Sequence, residues 1–202
     1  MTSTAPRGLA ARRRYRWLNI GVVIGSALLC TLALPLRPPG MELLGVGPSW
    51  LLIWIVAWSM KRTGFEGAIA GFILGLIHDG MTGYFPTHTI GLVLVGFLTA
   101  RIQKQRFIQE DFVSVSIIVF GMAVIAQTVM AIQISAHQLL LPTSPYPTLP
   151  DIWLQHQRIA LSSAILSSLW APVVYYPLNR WWAHYEQVMT SPGSKSRLER
   201  AN

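Results

Sequence analysis

The stretch Phe112 to Leu141, FVSVSIIVFGMAVIAQTVMAIQISAHQLLL, runs for 30 residues without a formally charged side chain and stops at Pro142. A helix rises about 1.5 Å per residue, and roughly 20 apolar residues cross a hydrocarbon core of about 30 Å. The stretch is long enough to span a bilayer with residues to spare. The rest of the 202-residue chain agrees: 52% is apolar, 12% is charged, and the mean hydropathy is +0.43. Soluble domains carry about a quarter charged residues, so this chain lacks the surface for one. The apolar content excludes a disordered chain. A disulfide framework is excluded because Cys30 has no second cysteine to pair with.

Outward from that stretch, gaps between charges predict an all-α integral membrane protein with six spans, two of them short. They fall at residues 17–36, 49–60, 65–85, 87–100, 112–141 and 159–178, within a membrane domain of residues 17–180. Residues 65–100 read either as two spans or as one re-entrant hairpin broken near Gly80, Gly83 and Pro86. Lys and Arg set orientation. Five precede the first span (Arg7, Arg12, Arg13, Arg14, Arg16). Lys61 and Arg62 follow the second, Arg101, Lys104 and Arg106 the fourth, and Arg180, Lys195, Arg197 and Arg200 the sixth; only Arg37 and Arg158 fall on the other side. Both termini are therefore expected in the cytoplasm. The net charge of +8 reads as a basic face over anionic lipid. Nucleic acid is not expected as a partner, since no basic run is interleaved with stacking aromatics.

Residues 1–16 read as a basic cytoplasmic arm and residues 181–202 as a cytoplasmic tail. The apolar run behind Arg12-Arg13-Arg14 is span-length and lacks a cleavage signature, so it reads as a retained helix. The loop from Pro142 to Gln157 holds Pro142, Pro145, Pro147 and Pro150 and is expected to be extended and semi-rigid.

Gly67, Gly71 and Gly75 recur every fourth residue and line one helix stripe, where a neighbouring backbone can approach closely. Ala160, Ala164 and Ser168, with Ser163, Ser167 and Ala171, form a similar lattice. Asp79 lies deep in the third span, about 21 Å from Phe65 at 1.5 Å per residue. A carboxylate there is costly and marks a satisfied structural group, a relay or a partner contact. His78 is adjacent but on another helix face. Gln127, Gln133 and His137 are possible hydrogen-bond partners for Asp79. Trp17, Trp50, Trp58, Trp181 and Trp182 read as interfacial anchors, whereas Trp54 lies mid-span and needs packing or lipid contact. No Gly-x-Ser-x-Gly elbow, His-Glu-x-x-His or phosphate loop occurs, and the five histidines lack metal-ligand spacing. Neither enzymatic chemistry nor a metal or cofactor is expected.

The run Pro48-Ser-Trp-Leu-Leu-Ile-Trp-Ile-Val-Ala-Trp-Ser-Met-Lys-Arg62, followed by Gly67, Gly71-Phe-Ile-Leu-Gly75-Leu-Ile-His-Asp79 and Gly83, resembles the rod shape-determining protein MreD family. That family has a short Pro-initiated span, a basic turn, then G-x-x-x-G-F-x-x-G-L-x-x-D. The likeness covers about Gly47 to Arg106, and His78 departs from it, since an apolar residue usually precedes the Asp. The resemblance implies a non-enzymatic scaffold of the elongation complex in the bacterial inner membrane. It would organise peptidoglycan synthesis with MreC, MreB and a polymerase–transpeptidase pair. It also implies a fold similar to the membrane subunits of energy-coupling-factor transporters. A substrate-binding subunit of a vitamin-type transporter is therefore the alternative.

Overall fold

The computed structural model describes residues 5–35, 42–83, 85–103, 112–140 and 149–190. They form six helices: α1 (Ala5–Leu32), α2 (Trp50–Ser59), α3 (Gly64–Thr82), α4 (His88–Gln103), α5 (Phe112–Leu140) and α6 (Leu149–Thr190). Among the described residues there is no strand, only an isolated bridge between Leu43 and Val46. That bridge closes a tight turn with positive φ at Leu44 and Gly45, the geometry of a type I′ turn.

Among the described residues three segments are long and apolar enough to cross a membrane: Arg13–Leu32, Phe112–Leu140 and Pro150–Met189. Two further apolar helices, Trp50–Ser59 and His88–Ile102, are shorter. The 10-residue α2 is only ~15 Å long, half the hydrocarbon thickness. It is buried on nearly all sides, from Leu51 through Ala57, and touches all five other helices. A helix that is hydrophobic all round belongs in a core, and α2 is the post around which the bundle stands. Trp54 is 3% exposed and donates its Nε1–H to Ser26 Oγ of α1 at 2.8 Å.

In α3 the first turn is closed by a capping box. Thr63 Oγ1 accepts from the Glu66 amide at 3.3 Å, while Glu66 Oε2 accepts from the Thr63 amide at 2.9 Å. Glu66, the second carboxylate of the third predicted span, thus serves the exposed start of the helix. At the far end Gly83, with φ 117°, donates its amide to the Asp79 carbonyl at 2.9 Å. Residues 65–100 form two antiparallel helices joined at residues 83–87.

At three places the structure has helix where the sequence was read as arm, loop or tail. The basic arm is helical from Ala5, because Ala and Arg are strong helix formers there. The Pro-rich loop is helix from Leu149 onward, since Pro150 falls in the first turn, where a missing amide hydrogen leaves no bond unmade. Residues 142–148 lie outside the described residues. α6 runs through Pro172 and Pro177 and on past residue 178 to Thr190, so the tail begins as helix.

Candidate functional site

The glycine stripe of α3 meets α4 backbone to backbone. A Cβ on Gly67 would fall within 3.0 Å of the Gly96 carbonyl, and one on Gly71 within 3.0 Å of the Leu92 carbonyl and the Val93 Cα. At Gly75 the obstacle is Thr89. Gly96, on the facing helix, is equally tight against the Gly67 carbonyl. Such contact excludes any side chain and seats α4 at a fixed height on α3.

This seam delivers Asp79 to the first turn of α4. Oδ1 accepts from the His88 amide at 2.6 Å and His88 Nδ1 at 3.1 Å. Oδ2 accepts from Thr89 Oγ1 at 2.6 Å and the Thr89 amide at 3.2 Å. The amide before them belongs to Thr87 and donates to Gln133 Oε1 of α5 at 3.1 Å. Thr87 Oγ1 donates to the same atom at 3.0 Å, and Gln133 Nε2 donates back to the Thr87 carbonyl at 3.0 Å. A helix start leaves amides without internal partners, and in a low-dielectric setting each such group is costly. Here Asp79 and Gln133 satisfy three consecutive ones from other helices. A carboxylate only accepts, so His88 meets Asp79 with Nδ1 as the donor.

His78 and Asp79 point differently, as their i, i+1 spacing requires. The His78 ring lies against the His88 ring, with centroids 3.9 Å apart. Both imidazoles line a chamber of about 370 Å³ with Gln127, Ser163 and the Glu42 to Ser49 turn. A second chamber of about 420 Å³ shares His88, Gln127 and Ile159 with the first and is otherwise mostly apolar, including Phe85, Met130 and Ile134. Of the three partners considered for Asp79, Gln133 bonds Thr87, Gln127 faces the chambers, and His137 packs its ring on Phe85 at 4.5 Å.

The tryptophans divide. Trp17 is 64% exposed on α1. Trp50 is half-buried, its ring 5.7 Å from that of Trp170. Trp58 stacks on Trp54 at 6.0 Å, with the Arg62 guanidinium 5.3 Å from its centroid. Trp181 is half-buried against the core, and Trp182 is 5% exposed inside it. Trp181 and Trp182 differ because neighbouring residues of a helix face apart.

Several working residues escaped the sequence reading. Thr63-x-x-Glu66 is a local capping signature and was legible. Gly96 stands five residues after Gly91 and four before Ala100, and it faces Gly67 of the α3 stripe. His88 and Thr89 as partners of Asp79 follow only from the length of the intervening turn.

The fold and this site define a helical membrane protein whose polar groups knit helix ends together. The family described as rod shape-determining protein MreD matches residues 11–176, and the chain belongs to it. Comparison with curated proteins and with solved structures gave no match. Membership makes the chain a rod shape-determining membrane protein.

Proposed function

We propose that this MreD-family chain is a non-enzymatic scaffold of the elongation complex in the bacterial inner membrane. It crosses the membrane six times, in residues 17–180, with both termini in the cytoplasm and a fold like that of energy-coupling-factor membrane subunits. Its partners are MreC, MreB and the peptidoglycan polymerase–transpeptidase pair, with lipid around it. In this reading Gly67, Gly71 and Gly75 serve internal packing, and Trp17, Trp50 and Trp58 hold the bundle at the interfaces.

The observation that carries the reading is the family match along residues 11–176, nearly the whole bundle. A docking role is supported by an apolar groove of about 390 Å³ between α1 and α3, with Val23, Ala27, Trp54 and Ile73 among its walls. Without a hydrophobic drive between helices in lipid, association depends on such shape and on small residues. A transmembrane segment of MreC is the occupant expected there.

Affinity capture from membranes in mild detergent, read by mass spectrometry, tests this. MreC is expected in the eluate, and a clean deletion is expected to round the cells. Rod-shaped deletion cells together with an eluate free of MreC would overturn the scaffold.

A further inference from the structure

The helices around α2 do not close into a full ring. α1 packs on α2 and α6, α3 packs on α2 and α4, and a slot of about 390 Å³ stays open between α1 and α3. Its floor is Trp54 and Trp58 of α2, and its walls include Ala27 of α1 with Ala70 and Ile73 of α3. The two alanines are half-buried on opposite walls, and their small side chains keep the slot wide.

Three observations narrow what fits. First, along α3 the slot runs from Glu66 to Ile77, ~16 Å at the helical rise and about half of a ~30 Å hydrocarbon core. That is the depth of one leaflet. Second, a membrane helix ~10 Å across and ~30 Å long displaces more than ~2,000 Å³. A helix therefore sets only a ridge of side chains into the slot, whereas a single acyl chain lies wholly within it. Third, the end at Trp58 and Glu66 bears charges of both signs. The Arg62 guanidinium lies 5.3 Å from the Trp58 ring centroid, and Glu66, which lines the slot, gives only Oε2 to Thr63. Both residues are exposed. A head of one sign meets a like charge there, and a zwitterionic head meets an opposite charge for each of its own. Glu66 Oε1 selects further: a primary ammonium offers it N–H donors, and a trimethylammonium offers none.

We propose that the slot holds one phosphatidylethanolamine from the leaflet on the Lys61–Arg62 side. Its phosphate lies against Arg62, its ammonium against Glu66 Oε1, and one acyl chain runs over Trp58 and Trp54 between Ala27 and Ala70. The proposal goes beyond the scaffold reading and does not depend on it. The lipid is the resident of the isolated chain, and a partner segment entering the slot displaces it.

The full chain in mild detergent is titrated in turn with dioleoyl phosphatidylethanolamine, phosphatidylcholine and phosphatidylglycerol, and retained lipid is read by native mass spectrometry. Saturable retention of one phosphatidylethanolamine per chain is expected, about fivefold tighter than either other lipid, the worth of one exposed ion pair. Glu66→Gln keeps a capping acceptor and removes the charge. It is expected to level phosphatidylethanolamine with phosphatidylcholine and to favour phosphatidylglycerol. Arg62→Gln is expected to weaken phosphatidylethanolamine about fivefold. Ala70→Phe fills the slot with both charges in place and is expected to abolish retention; Ile73→Trp does the same if that variant fails to fold. Retention that does not saturate, equal retention of phosphatidylcholine, an unchanged preference in Glu66→Gln, or undiminished retention in a folded slot-filled variant would overturn the proposal. MreC capture is read on a separate sample, so retention without capture strikes the scaffold alone, and capture without retention strikes the lipid alone.

Discussion

Two helices of this bundle carry the same glycine spacing and use it in opposite ways. In α3, Gly67, Gly71 and Gly75 lie against the backbone of α4, where a Cβ has no room. In α1, Gly21 and Gly25 are also four apart, and a Cβ on either would meet nothing within 4 Å. Burial follows the same division: the buried residues of α3 are Gly67, Gly71, Leu74 and Gly75, on or beside the stripe, whereas neither Gly21 nor Gly25 of α1 is buried. The spacing therefore reports that a helix can be approached closely; it does not report whether the approaching helix belongs to the same chain. The filled stripe holds the fold together, while the open one is a surface on which another helix could lie.

The sharpest way to break this contrast is Gly71→Leu. With the Leu92 carbonyl and Val93 Cα already in the way, α3 and α4 must separate. A loss of about 3 kcal/mol or more is expected, with much lower yield of folded protein, measured by thermal unfolding in detergent. An unchanged melting temperature would dissolve the difference between the two stripes. Asp79→Asn comes next. It keeps the shape but turns one acceptor oxygen into an NH2 donor, so the His88 or the Thr89 amide loses its acceptor and the side-chain group beside it must reverse its role. A cost of about 1.5 to 3 kcal/mol is expected, seen as faster hydrogen exchange at the start of α4. Exchange no faster than in the parent would show that the clamp carries no weight.

Trp54→Phe removes the indole bond to Ser26 that ties α2 to α1 and trims the ring stacked on Trp58. About 1 to 2 kcal/mol is expected, with protease sensitivity rising most at α1. The smallest effect is expected for Gly25→Ala, within about 0.5 kcal/mol in the isolated chain. Its influence is expected in co-purification with a partner instead. A large loss of stability from Gly25→Ala would mean that α1 is as tightly seated as α3.

The sequence made some of this visible and hid the rest, for physical reasons. Long uncharged runs are unambiguous, so α5 and the apolar part of α1 stood out from charge gaps alone. The short α2 was legible as apolar, but its place at the centre was not, because an all-apolar helix looks alike in lipid and in a protein core. Pro150 misled because proline signals a loop in most contexts and is equally at home in the first helical turn. Asp79 could be singled out as a charge in the wrong solvent, yet its partners lie nine and ten residues on, across a turn whose geometry periodicity does not describe. Trp182 shows the same limit: composition places a tryptophan near an interface, and only the helix phase turns it inward.

The 42 residues of α6 amount to ~63 Å of helix, about twice the thickness of the hydrocarbon layer, and Pro172 and Pro177 lie inside it. Each proline takes one amide donor out of the ladder, so the longest element of the bundle is also softest at that pair. Whatever bends α6 bends it there, and the parts before and after the prolines then move as separate arms.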